Sequence, residues 1–282
     1  MTNENNCVLA NGCMGAGTAA CTKHCTAFIQ MHGVSGNGGR SAAAGLPREY
    51  RLVTLQNSPA RGDQPEAYKA AYAYASTFNR QFDQQSGSVA AADRIKSLYL
   101  VSESPGTGKT TTAAALLNEW LRVHYSGSLR RGLEPLQRPA YFLDVNAWQN
   151  DYNEFNRPRV PDSVAEPAAA RYYRALEAAK MAPFAVLDDI GVRDTTDGFR
   201  GDLHTVINAR VTNQLPTIYT SNVALDQIWQ VFGERRLADR VGDLCREIEF
   251  VGESKRGCVD ENGIRLRRHR LGCRVRKSDF LR

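Results

Sequence analysis

Apolar positions along the chain fall into two alternating rhythms. Short, nearly unbroken apolar runs occur at SLYLVS (97–102), PAYFLDV (139–145), FAVLDD (184–189), TIYTSN (217–222) and EIEFVG (247–252). They are too short for helices and rich in β-branched and aromatic residues, which predicts five strands. Between them, apolar residues recur three and four apart. Tyr68, Ala71, Tyr72 and Ala75 make one stripe of a helix predicted over 64–82. Ala113, Leu117, Trp120 and Leu121 share a face of the helix that follows the first strand. An alanine-rich stretch over 163–180 reads as a helix interrupted early by Pro167, and 199–211 as another. Apolar strands alternating with helices predict an α/β fold in which a parallel sheet is covered on both faces.

One polar residue interrupts this pattern. Phe199, Leu203, Val206 and Arg210 are spaced by four, three and four, so an arginine continues an apolar stripe. Such an arginine must pair, snorkel or reach an interface. The expectation is that Arg210 helps form a contact between subunits.

The chain before residue 46 has a different character. It holds Cys7, Cys13, Cys21 and Cys25 and ends in HGVSGNGGRSAAAG, whose glycines and serines read as a linker or loop. Composition adds bounds. The chain has 282 residues, 42% of them hydrophobic and 23% charged, with a formal net charge of +6. That is enough apolar material for a sizeable core, and the positive balance suits an anionic partner. No apolar run approaches the roughly 18 residues that span a bilayer, and no basic stretch leads into an apolar one at the start. These features predict a soluble, cytoplasmic protein without a membrane partner.

The chemistry begins directly after the first predicted strand, at PGTGKTT (105–111). A glycine-rich turn between a strand and a helix is the context of a working phosphate loop. Gly106 and Gly108 let backbone amides approach phosphates, with Pro105, Thr107 and Thr111 completing the cradle. Lys109 supplies a charge to the β- and γ-phosphates, and the Thr110 hydroxyl can bind Mg²⁺. The general pattern G-x-x-x-x-G-K-[ST] has glycine first, whereas this chain has Glu103, a carboxylate that could change affinity or rate. In FAVLDD, a buried strand delivers Asp188 to its C-terminal end, where open α/β sheets bind ligands. Asp188 is the second candidate for Mg²⁺, and Asp189 for orienting the attacking water. ATP and Mg are therefore the expected cofactors.

PGTGKT, VLDDIG, PTIYTSN, RRLADRV and EFVGESKR, in this order, resemble the AAA+ ATPases of the DnaC-like replicative-helicase loaders of bacteria and phages, and the transposase-helper ATPases related to them. The resemblance covers about 46–256. It implies an AAA+ core with a five-stranded parallel sheet between helices. It also implies that Asn222 senses the γ-phosphate or the attacking water, that Arg240 is a finger acting on a neighbouring subunit's nucleotide, and that Arg256 reads the γ-phosphate within its own subunit. Arg235 and Arg236 are close enough to Arg240 to compete for the finger role. A residue acting in trans implies self-association into a head-to-tail ring or spiral.

The cysteines add a second expectation. The spacing C-x5-C-x7-C-x3-C over Cys7, Cys13, Cys21 and Cys25 suits structural zinc, with His24 and His32 as alternative ligands. The resemblance implies that this segment grips the helicase. Cys245, Cys258 and Cys273 are scattered and carry no assignment. The end of the chain, RLRRHRLGCRVRKSDFLR from Arg265, is dense in arginine, with Phe280 its one aromatic, and suits phosphates or an acidic protein face.

These readings divide the chain into a cysteine-rich segment with its linker (1–45), an AAA+ domain (46–257) and a basic tail (258–282). The expected function is ATP-dependent loading of a replicative DNA helicase onto single-stranded DNA. The alternative is a transposition helper that binds double-stranded DNA and a transposase. A metabolic nucleotide kinase would not need RRLADRV or GESKR. A non-hydrolysing adaptor remains open through Glu103, and because Asp189 stands where many AAA+ proteins have glutamate.

Overall fold

The computed structural model describes residues 7–84, 94–191 and 193–254. Five parallel strands form one sheet in the order β2-β3-β4-β1-β5: β1 (Ser97–Val101), β2 (Ala140–Asp144), β3 (Phe184–Ile190), β4 (Thr217–Ser221) and β5 (Cys245–Glu249). All five predicted strands are present. The last begins two residues earlier than its apolar run, because Cys245 and Arg246 pair with Ser97 and Leu98.

The helices are α1 (Thr26–His32), α2 (Gly39–Ala43), α3 (Pro65–Ala75), α4 (Gln81–Gln84), α5 (Lys109–Arg130), α6 (Val145–Asn156), α7 (Asp162–Met181), α8 (Asp197–Thr212), α9 (Trp229–Phe232) and α10 (Arg235–Leu244). The helix predicted over 64–82 is broken. The Ser76 and Thr77 hydroxyls donate back to the carbonyls of Ala73 and Tyr74, competing with helix continuation, and a 3₁₀ turn (Phe78–Arg80) leads into α4.

Period-two alternation divides the core between the two faces of the sheet. Leu98 and Leu100 of β1 face α3 and α5, where Trp120 stacks on Phe184 with ring centroids 4.6 Å apart. Tyr99 and Val101 face the opposite way, toward α6, α7, α8 and α10, where Trp148 stacks on Tyr172 at 4.8 Å. The mean burial of both faces explains why the strands read as continuous apolar runs.

The stretch expected to be a loose linker is anchored. It contains α2, and the buried Arg40 guanidinium donates to the carbonyls of Gln30, Pro135 and Leu136 and to the Gln30 side chain. Val8, Leu9 and Met31 join the same core cluster as α5. The Phe142 amide donates to the Ala44 carbonyl at 2.7 Å, so this segment lies along the open edge of β2. Gly45 makes that approach possible: its φ is +74°, and a Cβ there would sit 2.8 Å from the Phe142 carbonyl oxygen.

Arg210 does not reach a surface. It is 0% exposed, with the guanidinium donating to the Thr217 hydroxyl (2.8 Å) and to the carbonyls of Ala179 (2.6 Å), Ala182 (2.9 Å) and Pro216 (3.0 Å). The expected subunit contact is therefore corrected to a structural role. The apolar stripe carries Arg210 inward because unpaired carbonyls at the C-terminal end of α7 need donors there. Among the described residues, no helix is long and apolar enough to cross a membrane.

Candidate functional site

β1 ends at Val101, and the chain turns through PGTGKTT into α5 at the C-terminal edge of the sheet. Gly106 (φ +74°) and Gly108 (φ +107°) adopt backbone conformations that side chains disfavour, and a Cβ on Gly108 would collide with Ala60. The turn and the N-terminus of α5 thus form a cradle of backbone amides, favourable to anions. They border a cavity of about 330 Å³ that Thr110, Thr111, Asp189 and Asn222 also line.

Within this cavity the predicted residues converge. The buried Lys109 ammonium donates to Asn222 Oδ1 at 2.6 Å, which brings the phosphate loop and the end of β4 together. Thr107 Oγ1 is buried without a hydrogen-bond partner, a polar atom poised for a ligand. Asp188 accepts from the Thr220 hydroxyl at 2.7 Å and also hydrogen-bonds Thr110. Burial pushes the Asp188 carboxyl up to about 7, the Asp189 charge adds to the rise, and the two threonine hydroxyls oppose it. Asp189 lines the cavity with φ +59°, an unusual conformation for aspartate.

This donor set fits a nucleoside triphosphate with Mg²⁺. The amide cradle and Lys109 suit the phosphates, while Thr110 and Asp188 together supply two hard oxygen ligands. Bound there, the metal would neutralise charge on the β- and γ-phosphates. Glu103 is exposed and is not among the residues lining the cavity. Arg256 lies outside the described residues, as do Cys258, Cys273 and the basic tail from Arg265.

Three features of the site were missed from sequence. Tyr50, Pro59, Ala60 and Asp63 form the wall facing the phosphate loop, contributed by a segment with no motif. Gln64 ties that wall in place: its amide donates to the carbonyls of Thr107 and Val251 and accepts from the Val251 amide. Thr220 contacts both aspartates. Its signal was its place two residues before Asn222 on the strand beside β3, legible only once strand order is known.

The three arginines of RRLADRV have different surroundings. Arg240 donates to Asn208 (2.7 Å) and Thr212 (3.2 Å) of α8. Arg235 lies over the Trp229 ring, 4.8 Å from its centroid. Arg236 is exposed and makes no hydrogen bond, ion pair or ring contact among the described residues.

The zinc expectation finds no support among the described residues. Cys7, Cys13, Cys21 and Cys25 border one cavity of about 640 Å³ against α5, but among the described residues no three His, Cys, Asp or Glu side chains are grouped to hold a metal ion. Burial, reinforced by Cys25, Cys13 and Cys21, raises the Cys7 pKa. His32 is turned into the protein, where Nε2 accepts the Val8 amide at 3.2 Å and burial lowers its pKa to about 4. His24 is exposed and outside the group lining the cavity. As placed, these residues do not fit a zinc ion.

No protein-family profile matches the chain. Over 173 residues it is 28% identical to the replicative helicase loader DnaI of Bacillus subtilis (strain 168), a match covering 57% of this chain and 48% of that protein. The chain therefore spans about half the length of the curated relative it matches. A crystal structure of DnaI superposes with a TM-score of 0.50 at 21% identity, covering 77% of this chain and 100% of that one. A crystal structure of the DnaC helicase loader gives a TM-score of 0.48 at 19% identity, covering 73% of this chain and 100% of that one. In sequence and in the placement of its motifs this chain resembles the DnaC-like replicative-helicase loaders, and its fold is similar to that of the DnaI structure.

Proposed function

We propose that the protein is an ATP-dependent loader of a replicative DNA helicase onto single-stranded DNA. The observation that carries this reading is the convergence of Lys109, Asp189 and Asn222 on one phosphate-sized cavity in a chain similar to a replicative helicase loader. A site that places a strand-end amide against the phosphate-loop lysine can couple the presence of a γ-phosphate to the position of β4. Nucleotide state then becomes a signal to partners. The segment 1–45 is assigned to the helicase contact. Its support is an apolar cavity against α5 with Met14 and Leu129 exposed at its border. The test is co-purification with the replicative helicase of the same cell, with and without ATP and single-stranded DNA. Recovery of the helicase in an ATP-dependent manner is expected; no recovery under any condition would move the reading to a transposition helper or an adaptor.

Self-association into a head-to-tail ring or spiral belongs to the same proposal, because a finger acting in trans has no target in a monomer. We assign that role to Arg236 in place of Arg240. Arg240 is already engaged by α8 of its own chain, whereas Arg236 projects from the N-terminal turn of α10 into solvent. Arg236→Ala is expected to lower ATP turnover roughly a hundredfold or more, the scale of lost transition-state charge stabilisation, while leaving ATP affinity within about twofold. Mixing it with a Lys109→Ala protein should restore part of the activity, because each variant supplies the half-site the other lacks. Full turnover by Arg236→Ala alone returns the role to Arg240.

A further inference from the structure

β3 and β4 are out of step at the floor of the nucleotide cavity. Leu187 pairs with Tyr219 and Ile190 with Ser221, so three steps along β3 match two along β4. Asp188 and Asp189 together therefore oppose Thr220 alone, the arrangement of a β-bulge. A bulge leaves an extra residue outside the ladder, and its buried amide must find another acceptor. Here that residue is Asp189, held at φ +59°.

The Thr220 hydroxyl serves both aspartates. It accepts the Asp189 amide at 2.8 Å and donates its own proton to Asp188 Oδ1 at 2.7 Å. One hydroxyl can do both because it carries a single donor and two lone pairs. Beside it, the Ser221 hydroxyl donates to the Ile190 carbonyl at 2.7 Å and closes the far end of the bulge. Thr220 is fully buried, so water cannot replace it.

We propose that Thr220 is a positioning residue of the ATPase site. Its hydroxyl fixes the bulge that aims Asp189 into the cavity, and it holds the Asp188 carboxylate beside Thr110. This assignment rests on the reading of the cavity as a site of ATP hydrolysis. It acts through the aspartates, since Thr220 is not among the residues lining the cavity. The phosphate loop is reached by neither of its hydrogen bonds, so binding and turnover should separate.

The test uses the full chain with Thr220→Val, which keeps the side-chain shape and removes the hydroxyl, and Thr220→Ser, which keeps the hydroxyl. Binding of a fluorescent ATP analogue without Mg²⁺, kcat, KM and the Mg²⁺ concentration for half-maximal rate are measured. Thr220→Val is expected to bind the analogue within about twofold of wild type, lose about tenfold or more in kcat, and need several-fold more Mg²⁺. Thr220→Ser should recover kcat and Mg²⁺ demand to within about twofold. If Thr220→Val does not fold, Thr220→Ala is read in its place. Unchanged kcat and Mg²⁺ demand overturns the inference, as does a parallel loss of analogue binding, turnover and thermal stability, which marks a purely structural role. A wild-type protein that neither binds nor hydrolyses ATP instead overturns the reading of the cavity.

Discussion

Asp188→Asn is expected to make the nucleotide-free protein more stable at pH 8 while abolishing Mg²⁺-dependent ATP turnover. Asp188 is 5% exposed, and its pKa is raised from 3.8 to about 7, chiefly by burial and then by Asp189. The folded state therefore retains a proton that the unfolded chain releases between about pH 4 and pH 7. Stability contributed by this group is complete below the unfolded pKa, declines as pH rises toward 7 and is lost above it. At about 1.4 kcal/mol per pKa unit, the carboxylate costs the nucleotide-free fold on the order of 4 kcal/mol at most. Asparagine carries no such cost and can still accept from Thr220 through Oδ1. The melting temperature of the variant should exceed that of the wild type at pH 8, with the gap narrowing toward about pH 5. Turnover should fall roughly a hundredfold or more, and Mg²⁺·ATP should no longer raise the melting temperature as it does in the wild type. A variant that melts below the wild type at pH 8 without nucleotide would contradict the buried-charge account.

That trade of stability for a ligand site is consistent with how the site is built. Asp188 lies on a central strand, where a carboxylate is costly, and Asp189 adopts a conformation that aspartate only occasionally takes. Both are held by Thr220 from the neighbouring strand. Cost concentrated on Asp189, which lines the cavity, and on Asp188, hydrogen-bonded to the lining Thr110, is the pattern expected of a functional site.

The sheet was legible because burial on both faces leaves continuous apolar runs, and the phosphate loop because its glycines and lysine are contiguous in sequence. Asp188, Asp189 and Asn222 were legible because each stands at the end of such a run. The wall formed by Tyr50, Pro59, Ala60 and Asp63 was not, because its residues reach the site only through tertiary packing. α6 left a readable signal that was passed over: Asp144 caps its first turn by accepting the Ala147 amide at 2.9 Å, and Trp148, Tyr152 and Phe155 follow at helical spacing. The cysteine spacing carried less than the other motifs. Sequence separation places the four thiols around one cavity but does not fix the convergence that a tetrahedral ion demands.

Arg210 presents the clearest separation of pattern from role, and Arg210→Ala is expected to destabilise the fold by about 3–5 kcal/mol. Ala179 and Ala182 lie at the C-terminal end of α7, where carbonyls lack helical donors, and Pro216 and Thr217 lead into β4. The guanidinium joins these elements through four hydrogen bonds, in an interior that lowers its pKa to about 10. It remains protonated at pH 7, and the negative end of the α7 dipole favours the charge. Truncation removes the Arg210 donors from the Ala179 and Ala182 carbonyls and opens a cavity, while the Pro216 carbonyl keeps the Ala185 amide. Arg210→Lys should lose less, because an ammonium keeps the charge but has three donors in a different geometry. Urea unfolding monitored by tryptophan fluorescence would show a lower midpoint for both variants, with alanine the more affected. At a temperature where the alanine variant remains folded, its ATP affinity and self-association should match wild type, since none of the four hydrogen bonds reaches the nucleotide cavity. Unchanged unfolding with lost self-association would instead place Arg210 at a subunit interface, which requires its side chain to leave all four acceptors and emerge from full burial.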